Sequence, residues 1–218
     1  MMKNLMKFAA CAGLLTLAAC DSGKSCPEEF PYMGQGIEVE KEVEGKKVVE
    51  TLPHKIAPFS VVNQKGKTLT NETLKGNIYI ADFFFTSCPS ICPKVKKQMK
   101  RVYEQYKDLP NFKILSHTID PVRDTVERLD WYATRLGVKD DKSWHFVTAG
   151  EQEVVFKMAY NYLVSAVEDD EAPGGFDHSG YIALVDKDGH IRGMYDGLIE
   201  ERVDDMIREI NCLYEQSK

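Results

Sequence analysis

Cys88 and Cys92 are separated by Pro89-Ser90-Ile91, and each is followed by a proline. A close pair of thiolates suits either a soft ion such as Cu(I) or a dithiol/disulfide couple. A third ligand would tip the balance toward metal. Five histidines are available: His54, His117, His145, His178 and His190. His178 stands out, because Phe176-Asp177-His178-Ser179-Gly180 closes a glycine-rich loop and leads straight into a strand. That is an arm fixed at one end, able to swing an imidazole over the cysteine turn. A lone loop histidine is ordinarily solvated, but beside such a thiol pair His178 becomes the candidate partner. His145, between Trp144 and Phe146, reads as strand packing or surface. His117 reads as a hydrogen-bonded core residue and His190, after a hairpin turn, as exposed. His54 shows no evident role.

The thiols need a scaffold, and the flanking sequence supplies one. Ile78–Phe85 is an apolar run rich in aromatic and β-branched residues, the pattern of a strand buried on both faces. Lys94–Lys107 then carries Val95, Met99, Val102 and Tyr106 at helical spacing. The pair therefore sits where a central strand hands over to a helix. Ligands of open α/β sheets bind at such strand ends. The helix N-terminus favours negative charge and so populates the thiolate. A proline after each cysteine biases both away from helical backbone, which places them around the first turn. Asp82 interrupts the apolar strand. Either it lies at a sheet edge facing a backbone donor, or it supports the ligands from behind. Asp120 follows the next buried strand, Phe112–Ile119, on the same rim, either as a loop cap or as a residue that orients ligands or docks a partner. Lys94, Lys96, Lys97, Lys100 and Arg101 read as a solvated face that an acidic partner could meet. Glu168–Glu171 reads as a solvated acidic loop.

The remaining elements follow from periodicity. Ile37–Leu52 alternates around Glu44-Gly45, an edge hairpin. Phe59–Val62 and Thr68–Thr70 form a second hairpin, and Asn71–Lys75 one helical turn. Val126–Leu136 is an amphipathic helix with Asp124 or Thr125 as N-cap. Trp144–Thr148 is a strand, Glu151–Tyr160 a helix and Leu163–Asp177 a long acidic loop. Tyr181–Asp186 and His190–Tyr195 form a hairpin around Lys187-Asp188-Gly189. Glu200–Tyr214 closes the chain as a helix. The resulting β-α-β-α-β-α-β-β-α order, with a Cys pair at the first βα junction, predicts an α/β, thioredoxin-like three-layer fold: a central mixed sheet flanked by helices, with an extra N-terminal β-hairpin.

Composition bounds the setting. The chain has 218 residues, 43% of them hydrophobic, which suits one globular domain. Lys3 and Lys7 precede an apolar stretch that ends in Leu17-Ala18-Ala19-Cys20. Residues 1–19 read as a lipoprotein signal peptide, with Cys20 as the lipidation site. Residues 20–36 read as a tether and 37–218 as the domain. The expected location is extracytoplasmic, on a bacterial cell membrane; a plain secretory signal is the alternative. The net charge of −6 without a basic stripe argues against nucleic acid. It also gives no electrostatic pull toward anionic lipid, so attachment would rest on acyl chains. In an oxidising compartment Cys26 and Cys212 are free to pair with each other or not, and the sequence leaves that open.

Four segments together resemble the Sco/SenC family. They are Thr86-Ser87-Cys88-Pro89-Ser90-Ile91-Cys92-Pro93, Thr118-Ile119-Asp120-Pro121-Val122-Arg123-Asp124-Thr125, Asp177-His178-Ser179 and Leu184-Val185-Asp186-Lys187-Asp188-Gly189. The resemblance runs from about Pro58 to Ile210. It implies a membrane-tethered, thioredoxin-like metallochaperone that binds one copper, Cu(I) or Cu(II), through Cys88, Cys92 and His178. It implies as partners a copper donor and the copper subunit of cytochrome c oxidase, whose copper site it helps assemble. It also implies an alternative role, a thiol–disulfide oxidoreductase in which Cys88 and Cys92 keep the target's cysteines reduced. Two thiolates and one imidazole suit copper better than zinc, which prefers four tetrahedral ligands.

Overall fold

The computed structural model describes residues 25–217. The expected signal peptide and the expected lipidation site, Cys20, lie outside the described residues. A seven-stranded sheet forms the centre, ordered β11-β10-β5-β6-β7-β3-β4. Strand β5 (Ile78–Phe84) is buried along its whole length, as its apolar sequence requires. It pairs in parallel with β6 (Phe112–Thr118), and β6 in parallel with β7 (Trp144–Thr148). The edges are antiparallel. β10 (Tyr181–Val185) and β11 (Ile191–Asp196) extend one side, β3 (Ser60–Asn63) and β4 (Thr68–Thr70) the other. The expected mixed sheet is present.

Strand alternation divides the core between two faces. Phe84, Trp144 and Phe146 lie under helix α2 (Cys92–Tyr106), where Tyr103 meets Trp144, and under Tyr132 of α3 (Val126–Arg135). Tyr79, Phe83 and His117 face the other way, onto Tyr162 at the end of α4 (Gln152–Asn161). Thr125 caps α3, its side chain accepting the Arg128 N–H at 3.3 Å. Helix α5 (Glu200–Gln216) packs beside α2 and against β11.

Two features depart from the sequence expectations, and a third answers a question the sequence left open. The N-terminal hairpin, β1 (Ile37–Val43) and β2 (Lys46–Leu52), is present but forms its own two-stranded sheet rather than an edge of the central one. Its charged positions alternate with apolar ones that no core residue covers, so it reads as a strand pair without belonging to the core. The acidic loop Leu163–Asp177 contains a short hairpin, β8 (Ala166–Glu168) with β9 (Phe176–His178). Three-residue strands fall below what periodicity can detect. Finally, Cys26 is disulfide-bonded to Cys212 of α5. The residues after it lie along the domain: Phe30 is buried, its carbonyl accepts from Arg192 at 2.5 Å, and the Met33 N–H donates to the Ile191 carbonyl at 2.8 Å.

Candidate metal centre

Cys88 lies in the turn after β5, its N–H donating to the Phe85 carbonyl at 3.2 Å. Cys92 is the first residue of α2 and Pro93 the second, where a missing N–H costs nothing. His178 ends β9, and pairing of Ala166 with His178 holds it there. Its Nε2 lies 3.6 Å from Cys92 Sγ and 3.9 Å from Cys88 Sγ. The three ligand atoms all fall within 4.8 Å of one another, the one such cluster among the described residues. Both thiols are free and buried, whereas His178 is half-buried. The edge of the Phe85 ring meets the imidazole at 5.6 Å between centroids, and Phe176 backs Phe85 at 5.2 Å.

The electrostatics favour an anionic sulfur. Cys88 is held down at about 3, first because the Cys92 thiol donates to it, then through His178 and the backbone N–H groups of Cys92 and Ser90; burial opposes this. Cys92 is pushed up because it keeps its proton for that hydrogen bond and because it is buried. The unliganded pair thus carries one negative charge readily and the second only when a cation takes the proton's place. Two sulfurs and one imidazole nitrogen converging at this range form a soft donor set that fits a thiophilic ion. His178 Nδ1 is buried without a partner, so Nε2 is the nitrogen that faces the thiols.

Two expectations about the surroundings need correction. Lys96 does not belong to a solvated basic face. It is buried, with Nζ 2.6 Å from Asp82 Oδ2, 2.7 Å from Ser116 Oγ and 4.0 Å above the Phe84 ring. Asp82 is not at a sheet edge, since β5 runs between β10 and β6. Its partners are side chains: the Lys96 ammonium and the Ser116 hydroxyl, which donates at 2.6 Å. It makes no hydrogen bond to the cysteines or to His178, although it lines a small void with Cys92 and His178. A helical-wheel argument could have found the lysine. Position 96 is one turn beyond Cys92, on the face that carries Val95 and Met99, and Asp82 is the charge it needs.

Asp120 caps its own loop: Oδ1 accepts the Arg123 N–H at 3.2 Å, and the Arg123 guanidinium lies 3.1 Å from Oδ2. No hydrogen bond joins it to Cys88, Cys92 or His178. The residue that ties this loop to the cysteine turn is Asp124, weighed from sequence only as an N-cap. Its carboxylate accepts from the Thr86 hydroxyl at 2.5 Å, the Thr86 N–H at 3.0 Å and the Thr118 hydroxyl at 2.5 Å. Thr86 stands two residues before Cys88, so Asp124 fixes the start of the turn to the end of β6.

The other histidines serve the fold. His117 is buried, stacked on Phe83 at 4.9 Å, with Nε2 unpartnered; packing holds it where a hydrogen bond was expected. His145 is buried beside the Asn63 amide at 3.4 Å. His190, expected to be exposed, is half-buried and donates from Nδ1 to the His54 carbonyl at 2.8 Å. His54 in turn donates from Nε2 to the Asn161 carbonyl at 2.8 Å.

The profile of the SCO1/SenC family matches residues 49–215. The chain belongs to the SCO1/SenC family. Solved members share the fold. A SCO1/SenC family lipoprotein from Bacillus anthracis superposes with a TM-score of 0.67 at 25% identity, over 73% of this chain and 95% of that one. BsSco, in which a disulfide switch was identified and which belongs to the Sco family of cytochrome c oxidase assembly proteins, gives 0.65 at 28% identity, over 73% and 93%. ScoI of Bradyrhizobium japonicum, solved with copper bound, gives 0.58 at 26% identity, over 70% and 98%. In this Sco chain the thiol pair and His178 fall inside the matched span.

Proposed function

We propose that this chain is a membrane-tethered copper metallochaperone that carries one copper on Cys88, Cys92 and His178 and helps assemble the copper site of cytochrome c oxidase. The observation that carries it is the convergence of two thiols and an imidazole within 4.8 Å. The copper-bound ScoI relative and the membership of BsSco in a family of oxidase assembly proteins support the cargo and the destination. A site at the mouth of a sheet, on a short hairpin arm rather than a rigid helix, suits an ion that must leave again. The tether rests on the Leu17-Ala18-Ala19-Cys20 sequence, supported by a lipoprotein among the relatives; no described helix is long and apolar enough to cross a membrane. The test is genetic. Cells lacking this chain should lose cytochrome c oxidase activity, and the parent gene but not Cys88→Ser should restore it. Full activity in the deletion strain at low copper would refute the assignment.

A second reading is specifically favoured by the free, strongly coupled thiol pair: a thiol–disulfide oxidoreductase that keeps the acceptor's cysteines reduced. With a thiol reductant such as glutathione in excess to re-reduce Cys88–Cys92, chelator-treated protein should then reduce an oxidised copper-site peptide over many turnovers. Strictly stoichiometric reduction, ending after one equivalent, would remove this reading.

A further inference from the structure

The hairpin β1–β2 stands outside the core, in a two-stranded sheet of its own. Every residue of β2 is exposed, and in β1 Val39 alone is half-buried. A lone hairpin is marginally stable in water; a sheet that stands by itself needs three or more strands and an apolar face. The register supplies the face, since Ile37, Val39 and Val43 share one side with Val48 and Leu52. Among the described residues no further strand pairs with either edge. Each edge therefore offers a row of backbone N–H and C=O groups to another chain.

The two edges differ in charge. A symmetric antiparallel pair keeps the faces of the two copies matched. Two copies of β1 laid together in this way set Glu38, Glu40 and Glu42 against the same residues of the partner, and like charges directly opposite resist pairing. β2 is self-complementary. A two-fold axis at Val48 puts Lys46 opposite the partner's Glu50, and Glu50 opposite the partner's Lys46. Val48 meets its own copy between them, and Lys47 faces the partner's Val49. Glu50, already paired with Lys41 across the hairpin, gains a second cation. Pairing β1 with the partner's β2 would run head to tail and build an open array rather than a closed dimer. We propose that the β2 edge is a self-docking surface, through which two copies of this chain join in a symmetric four-stranded sheet ordered β1-β2-β2-β1. The paired stretch, residues 46–50, falls short of a standard interface. The dimer is accordingly weak, with a Kd on the order of 10–100 µM. Cys88, Cys92 and His178 take no part, so neither the surface nor its test depends on copper.

Sedimentation equilibrium of the metal-free full-length chain, at concentrations that bracket this Kd, reads the association. The parent should pass from monomer to dimer and stop there. Lys46→Glu sets two pairs of carboxylates face to face and should weaken the dimer at least about tenfold. Glu50→Lys sets two pairs of ammonium groups face to face and should weaken it as much. An equimolar mixture of these two variants should regain the parent's association, because every glutamate then meets a lysine. Glu38→Lys, on β1, carries as large a change of charge and should leave the dimer unaltered. A parent that stays monomeric across the range overturns the proposal, and so do larger assemblies in place of dimers. Association that Lys46→Glu leaves unchanged, or that Glu38→Lys weakens as far, places the contact elsewhere, the apolar stretch before Cys20 included, and overturns it too.

Discussion

His178 Nε2 lies 3.6 Å from Cys92 Sγ, although 86 residues separate the two in the chain. Nothing local could bring them together. The approach is set by β5, which delivers the cysteine turn, and by the β8–β9 hairpin, which holds His178 opposite Ala166. Between them stands Phe85, packed on Phe176 behind and on the imidazole in front. The site is thus aligned by aromatic packing before any ion arrives.

That packing depends on Gly174. Its φ is +91°, and a Cβ there would lie 2.6 Å from the Phe85 ring. Gly174→Ala should strain the turn and displace Phe85 from His178, at a cost of about 1–3 kcal/mol. For a domain of this size that is a Tm lower by about 2–12 °C. Copper affinity should fall with it. An unchanged Tm and affinity would show that the ring does not position the histidine.

Cys26–Cys212 closes a loop with a sequence separation of 186. The double variant Cys26→Ser/Cys212→Ser should lose about 2–4 kcal/mol, read as a lower urea midpoint. Copper affinity should not change, because the segment after Cys26 docks near Ile191, level through Val185 with Tyr79 at the opposite end of β5 from the thiols. A midpoint equal to the parent's would mean that the remaining contacts of Phe30 and Met33 suffice.

Acid should destabilise the domain before its carboxylates titrate. Burial, then the Lys96 charge, holds the His117 imidazole at about 3; burial, then the Lys113 charge, holds His145 at about 4. The unfolded chain binds protons at these histidines near pH 6.5, where the folded chain refuses them. Both folded values are depressed, so stability is fully present above about pH 6.5 and falls as the pH drops toward 4. The slope approaches ~1.4 kcal/mol per pH unit for each histidine. Urea midpoints measured from pH 7 to pH 5 check this. His117→Phe, which preserves the stack on Phe83, should flatten the slope, and an unaltered slope would contradict it.

The sequence was legible where patterns are long or residue types rare. The buried strand Ile78–Phe84, the helix that starts at the second cysteine, the C-terminal hairpin and the thiol–imidazole trio all follow from periodicity, turn residues and soft-ligand chemistry. The illegible parts depended on distant contacts. A helical wheel puts Lys96 on the buried face with Val95 and Met99, but that Asp82 and Ser116, on two different strands, lie beneath it shows only in the fold. Asp124 resembles an ordinary helix cap until Thr86 and Thr118 converge on it. The partner of Cys26 lies at the other end of the chain, and the three-residue strands β8 and β9 are too short to alternate visibly.

Copper titration of the reduced full-length chain, followed by absorption spectroscopy, tests the three-ligand site most directly. The parent should bind one copper per chain, with a thiolate-to-Cu(II) charge-transfer band that Cys88→Ser abolishes. His178→Ala should weaken binding at least about tenfold, as removal of a direct ligand should cost no less than loss of an outer hydrogen-bond partner. Undiminished affinity in His178→Ala would contradict the assignment of the imidazole as a ligand.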